Sequence, residues 1–420
     1  MVNTLDVSIA DERPGPDTDV DVTKPDDTAD GERRAWYRAV GVGLAAFVAS
    51  RIIVLAATYA SAQQEFMERE QRGLPVPGSV RGLMERVLVR WDGRWYLIIA
   101  EHGYQSELPE RIGYIRDFDG AAIAFYPLYP YLARWFDYVF PGGLVHAMLG
   151  LNFLLGAVAV VLVGMLARQL YSVDTAQRAM VLFTLFPGSV VLSWNYAEAT
   201  LIVCAAACML FLLRERWELA GIMAALGTAA RPNGIALVAA CAAAAAIAIY
   251  RKRQWRSLLS VGMSPLGAIG YHWYLRVHTG ERWPWMRAQK EAWNEGWSWG
   301  ATAVRYIWRF LQNPLGTGFG DTYMQAFVAV TALGIGLFCS VRKRLPWLML
   351  AYVVVVAALM LSTKVVEPRP RFVFTAFPLV IGVAAWWPRR FRGAWDGLVV
   401  LSAGSLVAFA TLYASFAAIP

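Results

Sequence analysis

The sequence predicts an all-α, polytopic membrane protein, and three observations carry the prediction. Its 420 residues are 57% hydrophobic and only 17% charged, with a mean hydropathy of +0.41. An ordinary soluble domain has about a quarter of its residues charged. Eighteen Trp, eighteen Tyr and twenty Phe supply the amphipathic rings that membrane proteins place at their water interfaces. Eleven apolar runs approach the length of about 20 residues that crosses a bilayer as a helix. They lie near 36–60, 143–167, 178–194, 197–213, 217–231, 233–250, 257–277, 323–341, 346–362, 372–388 and 395–418. The third to sixth are short or closely joined, which brackets the count at ten to twelve.

Residues 1–32 carry ten acids and two bases, Arg13 and Lys24. With almost no large apolar residue, this stretch buries too little surface to fold and is expected to be a disordered acidic tail. Its sign is wrong for a signal peptide, so the first apolar run is expected to remain as an anchor. The tail is −8, which leaves the membrane domain, 33–420, at +16 within the net +8.

In a soluble protein that basic excess suggests nucleic acid. Here the positions of the bases give a better explanation, and no nucleic-acid partner is expected. Arg33, Arg34, Arg38, Arg168, Arg178, Arg214, Arg216, Arg251, Lys252, Arg253, Arg256, Arg342, Lys343, Arg344, Arg389, Arg390 and Arg392 fall at alternate boundaries between runs. By the positive-inside rule these mark the cytoplasmic side, together with the N-terminus. The opposite side receives two long loops, 61–142 and 279–321. Segments of that length usually carry binding or chemistry.

The first loop is only partly polar. Residues 79–101, SVRGLMERVLVRWDGRWYLIIAE, place apolar positions at helical spacing with charges between, as in helices lying in the membrane interface. The second loop, with Trp283, Trp285, Trp293, Trp297 and Trp299, reads as an aromatic belt or as a sugar or lipid platform. Cys204, Cys208, Cys241 and Cys339 all fall inside apolar runs, which argues for neither disulfides nor a zinc site.

Candidate chemistry concentrates on the loop side. Asp92 follows Trp91 among aromatics at the membrane surface, where partial desolvation makes a carboxylate a stronger base. The alternative is an interfacial Asp paired with Arg90 or Arg94. Glu101 and His102 are neighbours that face different directions on a helix, which suits hydrogen bonding to the loop or acceptor better than catalysis. Tyr104, Glu107 and Tyr126 follow. Asp117-Phe118-Asp119 has the spacing seen in metal-dependent sugar transferases. No cofactor is expected, with a divalent ion at these two aspartates as the secondary reading.

Asn195, Tyr196 and Glu198 form a short outer connection; Glu198 either offsets a helix dipole or binds substrate. Arg231-Pro232-Asn233-Gly234 interrupts an apolar stretch, and such residues at membrane depth usually line a cavity. Lys364, Arg369 and Arg371 are basic yet face outward. That exception suits a lipid-linked phosphate at a helix start, with ordinary headgroup contact as the alternative.

Taken together these residues resemble the PIG-V family, the glycosylphosphatidylinositol mannosyltransferases and their bacterial relatives. The likeness rests on Trp91-Asp92, Ile99 to Tyr104 with Glu107, Ala124 to Pro130, Asn195 to Glu198 and Arg231 to Gly234; Arg369 to Phe372 fits more loosely. Ala197 and Pro232 stand where the family usually has serines. The resemblance implies the GT-C glycosyltransferase fold, a polyprenyl-phosphate-mannose donor and an α-linked product. It makes Asp92 the general base of an inverting displacement, with Arg231, Lys364, Arg369 and Arg371 on the donor phosphate. Trp91, Glu101, His102, Tyr104, Glu107, Tyr126, Asn195, Tyr196, Glu198 and Asn233 would contact substrate. The acceptor would be a glycolipid, a lipoglycan or a protein at the extracytoplasmic face of the cell membrane. Two alternatives stand beside this reading: a GT-C enzyme using another lipid-linked sugar, and a lipid or sugar flippase. The second would be expected to show internal repeats, and the 91–130 motif has no counterpart after residue 250.

Overall fold

The computed structural model describes residues 25–75, 78–114, 120–314, 316, 322–365, 368–388, 392–415 and 419. Among these the only non-helical pairings are two isolated bridges, Gly113 with Gly120 and Trp297 with Thr363. The all-α prediction therefore holds, while its boundaries shift. Helix α1 (Pro25–Gln71) starts inside the expected acidic tail and continues eleven residues past the first apolar run. The extension is built from strong helix formers, braced by the Glu65–Arg69 pair one turn apart. Gly73, at φ +65°, follows its end.

The first loop then supplies α2 (Val80–Leu88), capped by the Ser79 hydroxyl, followed by α3 (Asp92–His102) and α4 (Leu128–Asp137). Through the bundle run α5 (Leu144–Leu170), α6 (Val173–Leu185), α7 (Glu198–Leu213), α8 (Trp217–Ala230), α9 (Ala236–Lys252), α10 (Leu258–Met263) and α11 (Leu266–Thr279). The second loop holds α12 (Pro284–Trp293) and α13 (Ala301–Gln312), and α14 (Thr322–Arg342), α15 (Trp347–Ser362), α16 (Pro370–Thr375), α17 (Pro378–Trp386) and α18 (Arg392–Ala414) complete the chain.

Each of the eleven apolar runs is largely helical, but the count of eleven spans is not matched. Five of the described helices are long and apolar enough to cross a bilayer: Asp30–Gln71, Leu144–Leu170, Pro232–Lys252, Thr322–Arg342 and Gly393–Ala414. A sixth is the pair Val173–Leu185 and Pro187–Ser193, bent by 74°. The shortfall has a physical cause. Proline cannot continue a helix with full hydrogen bonding, and Pro187, Pro265 and Pro378 each stand at the start of a new segment within a run. Helices α7, α8 and α15 are apolar but only 14 to 16 residues long.

The main core lies where α1, α5, α6, α7 and α9 meet α15 to α18. At its centre is a residue that hydropathy hides. Arg51, within α1, is 3% exposed and has no carboxylate partner among the described residues. Its guanidinium donates instead to the carbonyls of Thr184 (3.2 Å) and Ser189 (2.6 Å) and to the hydroxyls of Ser50, Ser189 and Ser193. All of these partners but Ser50 flank the 74° bend, so Arg51 satisfies carbonyls that the break in α6 frees from helical bonding.

Candidate active site

The bend delivers residues 194–198 to the end of the bundle occupied by the first loop. Asn152 of α5 holds this turn, donating its side-chain amide to the carbonyls of Val191 (3.1 Å) and Trp194. The Asn195 N–H donates to the Leu88 carbonyl at the end of α2 (3.1 Å). Arg90, bound to Glu65 of α1 (3.0 Å) and to the Ala414 carbonyl of α18 (2.5 Å), fixes the step from α2 to α3. Trp91 then takes φ 58° and ψ −122°, a region costing about 1–3 kcal/mol for a residue with a Cβ. That turn puts Asp92 at the start of α3. Gly93 allows the close approach: a Cβ there would meet the Asn195 Cβ at 3.1 Å and its carbonyl oxygen at 3.2 Å.

Opposite Asp92 lies the turn of α16. Gly188 is needed here, since a Cβ on it would stand 2.3 Å from the Pro370 oxygen. The Arg371 Nη1 donates to Asp92 Oδ2 at 2.6 Å and lies 3.9 Å from Glu198 Oε1. The other Glu198 oxygen pairs with Arg231 Nη1 at 2.9 Å, and the same nitrogen reaches the Tyr96 hydroxyl at 3.4 Å. Glu198 is fully buried, Arg231 is 7% exposed and Arg371 5%; only the Asp92 side chain, at 21%, opens outward. Tyr196 lies under the Arg371 guanidinium, 5.4 Å from its carbon. Burial pushes the Tyr96 hydroxyl above the ordinary tyrosine range, so it stays protonated at neutral pH.

Two carboxylates and two guanidiniums from four segments thus form a quartet with no net charge. It still holds unused hydrogen-bonding capacity. Arg231 Nε, Arg371 Nε, Asn195 Oδ1 and Asn233 Oδ1 are buried without a hydrogen-bond partner, and such groups are normally satisfied by protein, water or ligand. Asn233 donates its amide to Thr375 (3.0 Å), which ties the Arg231 elbow to α16.

The remaining sequence-predicted residues fall elsewhere. Lys364 is exposed, and its backbone N–H donates to Glu295 (2.7 Å) and to the Gly296 carbonyl (2.9 Å). Among the described contacts nothing joins its side chain to the quartet, because the strand-like strap at 363–365 aligns with the second loop before α16 turns inward. Arg369 caps the start of α16, half-buried. Trp91 packs against the main core.

Glu101 and His102 are exposed at the far end of α3, about 14 Å of helix from Asp92. They approach each other to 3.7 Å rather than facing apart, since they sit where the helix is ending. Glu107 is exposed. Tyr126 is buried and bonded to His272 (3.1 Å). Tyr104 lines a cavity of about 280 Å³ with Pro127, Tyr131, Gly270, Tyr271 and Tyr274. Asp117 and Asp119 lie outside the described residues. Sequence reasoning passed over Arg51, Asn152 and Glu295. The only available signals were an arginine and an asparagine inside apolar runs, and for Glu295 there was none.

Over residues 44–313 the sequence matches the family described as Mannosyltransferase (PIG-V). That match covers more than half of the chain and, with the apolar helices of the bundle, defines the class: a multi-pass membrane protein of a mannosyltransferase family. The chain belongs to the PIG-V mannosyltransferase family. No curated protein matches it. Among solved structures it is similar to the Archaeoglobus fulgidus oligosaccharyltransferase in the apo form, with 13% identity and a TM-score of 0.45 over 89% of this chain and 56% of that one. It is also similar to ArnT from Cupriavidus metallidurans in the apo state, with 16% identity and a TM-score of 0.47 over 72% and 56%. The A. fulgidus oligosaccharyltransferase AglB in complex with an inhibitory peptide and a dolichol-phosphate gives 12% identity and a TM-score of 0.44 over 90% and 56%. The chain spans little more than half the length of these proteins.

Proposed function

We propose that the protein transfers mannose from polyprenyl-phosphate-mannose to a lipid, lipoglycan or protein acceptor at the extracytoplasmic face, with inversion. Asp92 is the general base. The observation that carries this reading is the pairing of the one outward-opening carboxylate of the quartet with a buried arginine that has a donor to spare.

In an inverting displacement one carboxylate takes the acceptor hydroxyl's proton as the anomeric bond breaks. The leaving group gains negative charge, and guanidiniums in a water-poor site stabilise it strongly. Arg231 and Arg371 meet the phosphate; Arg369 stands two residues before Arg371, at the start of α16. Asn195, Tyr196 and Asn233 border the sugar. In this reading Glu198 acts on the arginines and does not contact substrate.

The test uses membranes containing the full chain, labelled polyprenyl-phosphate-mannose and a panel of acceptors. Asp92→Asn should lower transfer about 10²–10⁴-fold, the usual range for loss of a general base, without loss of inserted protein. Undiminished transfer by that variant would remove Asp92 from the chemistry. Transfer from a different polyprenyl-phosphate sugar, and none from mannose, would reassign the donor. Movement of label across the membrane with no new glycosidic bond would make the protein a flippase.

A further inference from the structure

We infer that Arg371 couples the base to the leaving group: it holds Asp92 while the donor site is empty and passes to the donor phosphate when that arrives, which frees Asp92 to take the proton. The inference rests on the proposed function for its chemistry and on geometry for its occurrence. One guanidinium nitrogen, Arg371 Nη1, faces both carboxylates, Asp92 at 2.6 Å and Glu198 at 3.9 Å. While it stays on Asp92 it occupies one of the two carboxylate oxygens and fixes the direction in which the group points. Its Nε is buried and has no partner, so the side chain retains a donor for a phosphate oxygen in the geometry where arginine binds such groups best. The charged and titratable groups around Asp92 are Arg371 of α16, Tyr196 and Glu198 at the start of α7, Arg231 at the end of α8, and Tyr96 of α3 itself. Among the described residues Arg371 is the one that touches the carboxylate.

Charge bookkeeping gives the exchange its direction. The quartet is neutral, and a sugar phosphodiester brings one negative charge. As the acceptor oxygen bonds to the anomeric carbon, its proton passes to Asp92, and the electron pair of the broken C–O bond stays on the phosphate. The diester monoanion becomes a monoester dianion while the Asp92 carboxylate becomes a neutral acid. The partner that attracted Arg371 thus loses its charge in the step that doubles the charge on the phosphate. Glu198, anchored to Arg231 through its other oxygen, remains beside Arg371 through the exchange as a positioning residue.

The exchange is testable without turnover, sugar or acceptor. The full chain in lipid nanodiscs is treated with a water-soluble carbodiimide and an amine, and amidation of Asp92 is followed by peptide mass spectrometry with and without undecaprenyl phosphate. Without lipid, wild type should label slowly and Arg371→Met at least fivefold faster. Arg371→Lys keeps a cation on Asp92 and should label within about twofold of wild type, which separates pairing from damage to the fold. Undecaprenyl phosphate should speed labelling of wild type at least threefold and leave Arg371→Met unchanged. The inference is overturned if the lipid slows wild-type labelling or leaves it unaltered, or if Arg371→Met labels like wild type. The proposed function fails separately, through mannose transfer by Asp92→Asn. Labelling reads only where the arginine sits.

Discussion

Arg51 and the Arg231–Arg371 pair are buried to the same degree in the same apolar bundle, yet they are satisfied by different partners. Arg51 spends its guanidinium on two carbonyls and three hydroxyls around the 74° bend. Arg231 and Arg371 are held by carboxylates, and each keeps an Nε with no acceptor. A saturated arginine is architecture: everything it needs is supplied by the chain. An arginine with a spare donor in a dry site is arranged for something that comes and goes, because leaving such a group unpaired costs about 1–3 kcal/mol. Burial alone would have ranked the three equally.

This contrast can be broken or sharpened by experiment. The largest effect on the fold is expected from Arg51→Met. It takes the arginine donor from the buried Ser189 carbonyl and leaves the Thr184 carbonyl with the Ser189 hydroxyl alone, at about 1–3 kcal/mol for a stranded group, so the thermal midpoint of the purified protein should fall by several degrees, and transfer should be lost in proportion to folded protein. Arg231→Lys should do the reverse. It keeps one charge on Glu198 but loses the planar fork, so transfer should drop about a hundredfold, as for removal of one donor from a transition-state site. Its thermal midpoint should stay near that of wild type. If the two variants lose stability and transfer in the same ratio, the distinction between saturated and spare arginines fails.

The smallest effect is expected outside both regions, where Glu291 of α12 accepts from the Ile112 N–H (2.8 Å) and pairs with Arg287 (3.0 Å). The Ile112 N–H, followed by Arg287, holds the Glu291 carboxyl below its usual range. A lowered folded-state value contributes stability that is present at neutral pH and lost as pH falls through that value. Limited proteolysis of the loops around residues 112 and 291 should therefore quicken only below the ordinary carboxylate range. Glu291→Gln should remove that dependence. The group is partly exposed and so partly screened by solvent, and the change should be slight.

Sequence reading found the fold class and the four members of the quartet because each carries a local signal. Asp92 is a charge among aromatics, Glu198 opens a helix, Arg231 interrupts an apolar stretch and Arg371 breaks the positive-inside pattern. Their pairing was not legible, since they are brought together by close approaches at Gly93 and Gly188 that no local pattern encodes. Lys364 and Arg371 looked equivalent as bases seven residues apart. The structure separates them because the strap runs along the second loop at Lys364 and turns into the bundle only at α16. Arg51 was invisible for the opposite reason: one arginine deep in a run whose only other charge is Arg38, near its start, barely changes the mean hydropathy, and its partners are neutral. The count of eleven spans is not matched by helix length where prolines divide runs that composition joins.

The neutrality of the quartet also has a consequence for how the protein is made. Its members leave the ribosome in the order Asp92, Glu198, Arg231 and Arg371, so two acids precede the first compensating base and the balance closes only when α16 arrives. Until then Glu198 has Arg231, but Asp92 has no cation of its own in the bundle. Final docking of α16 is therefore the step in biogenesis that completes the centre, and a nascent chain halted before residue 371 would carry Asp92 without its cation.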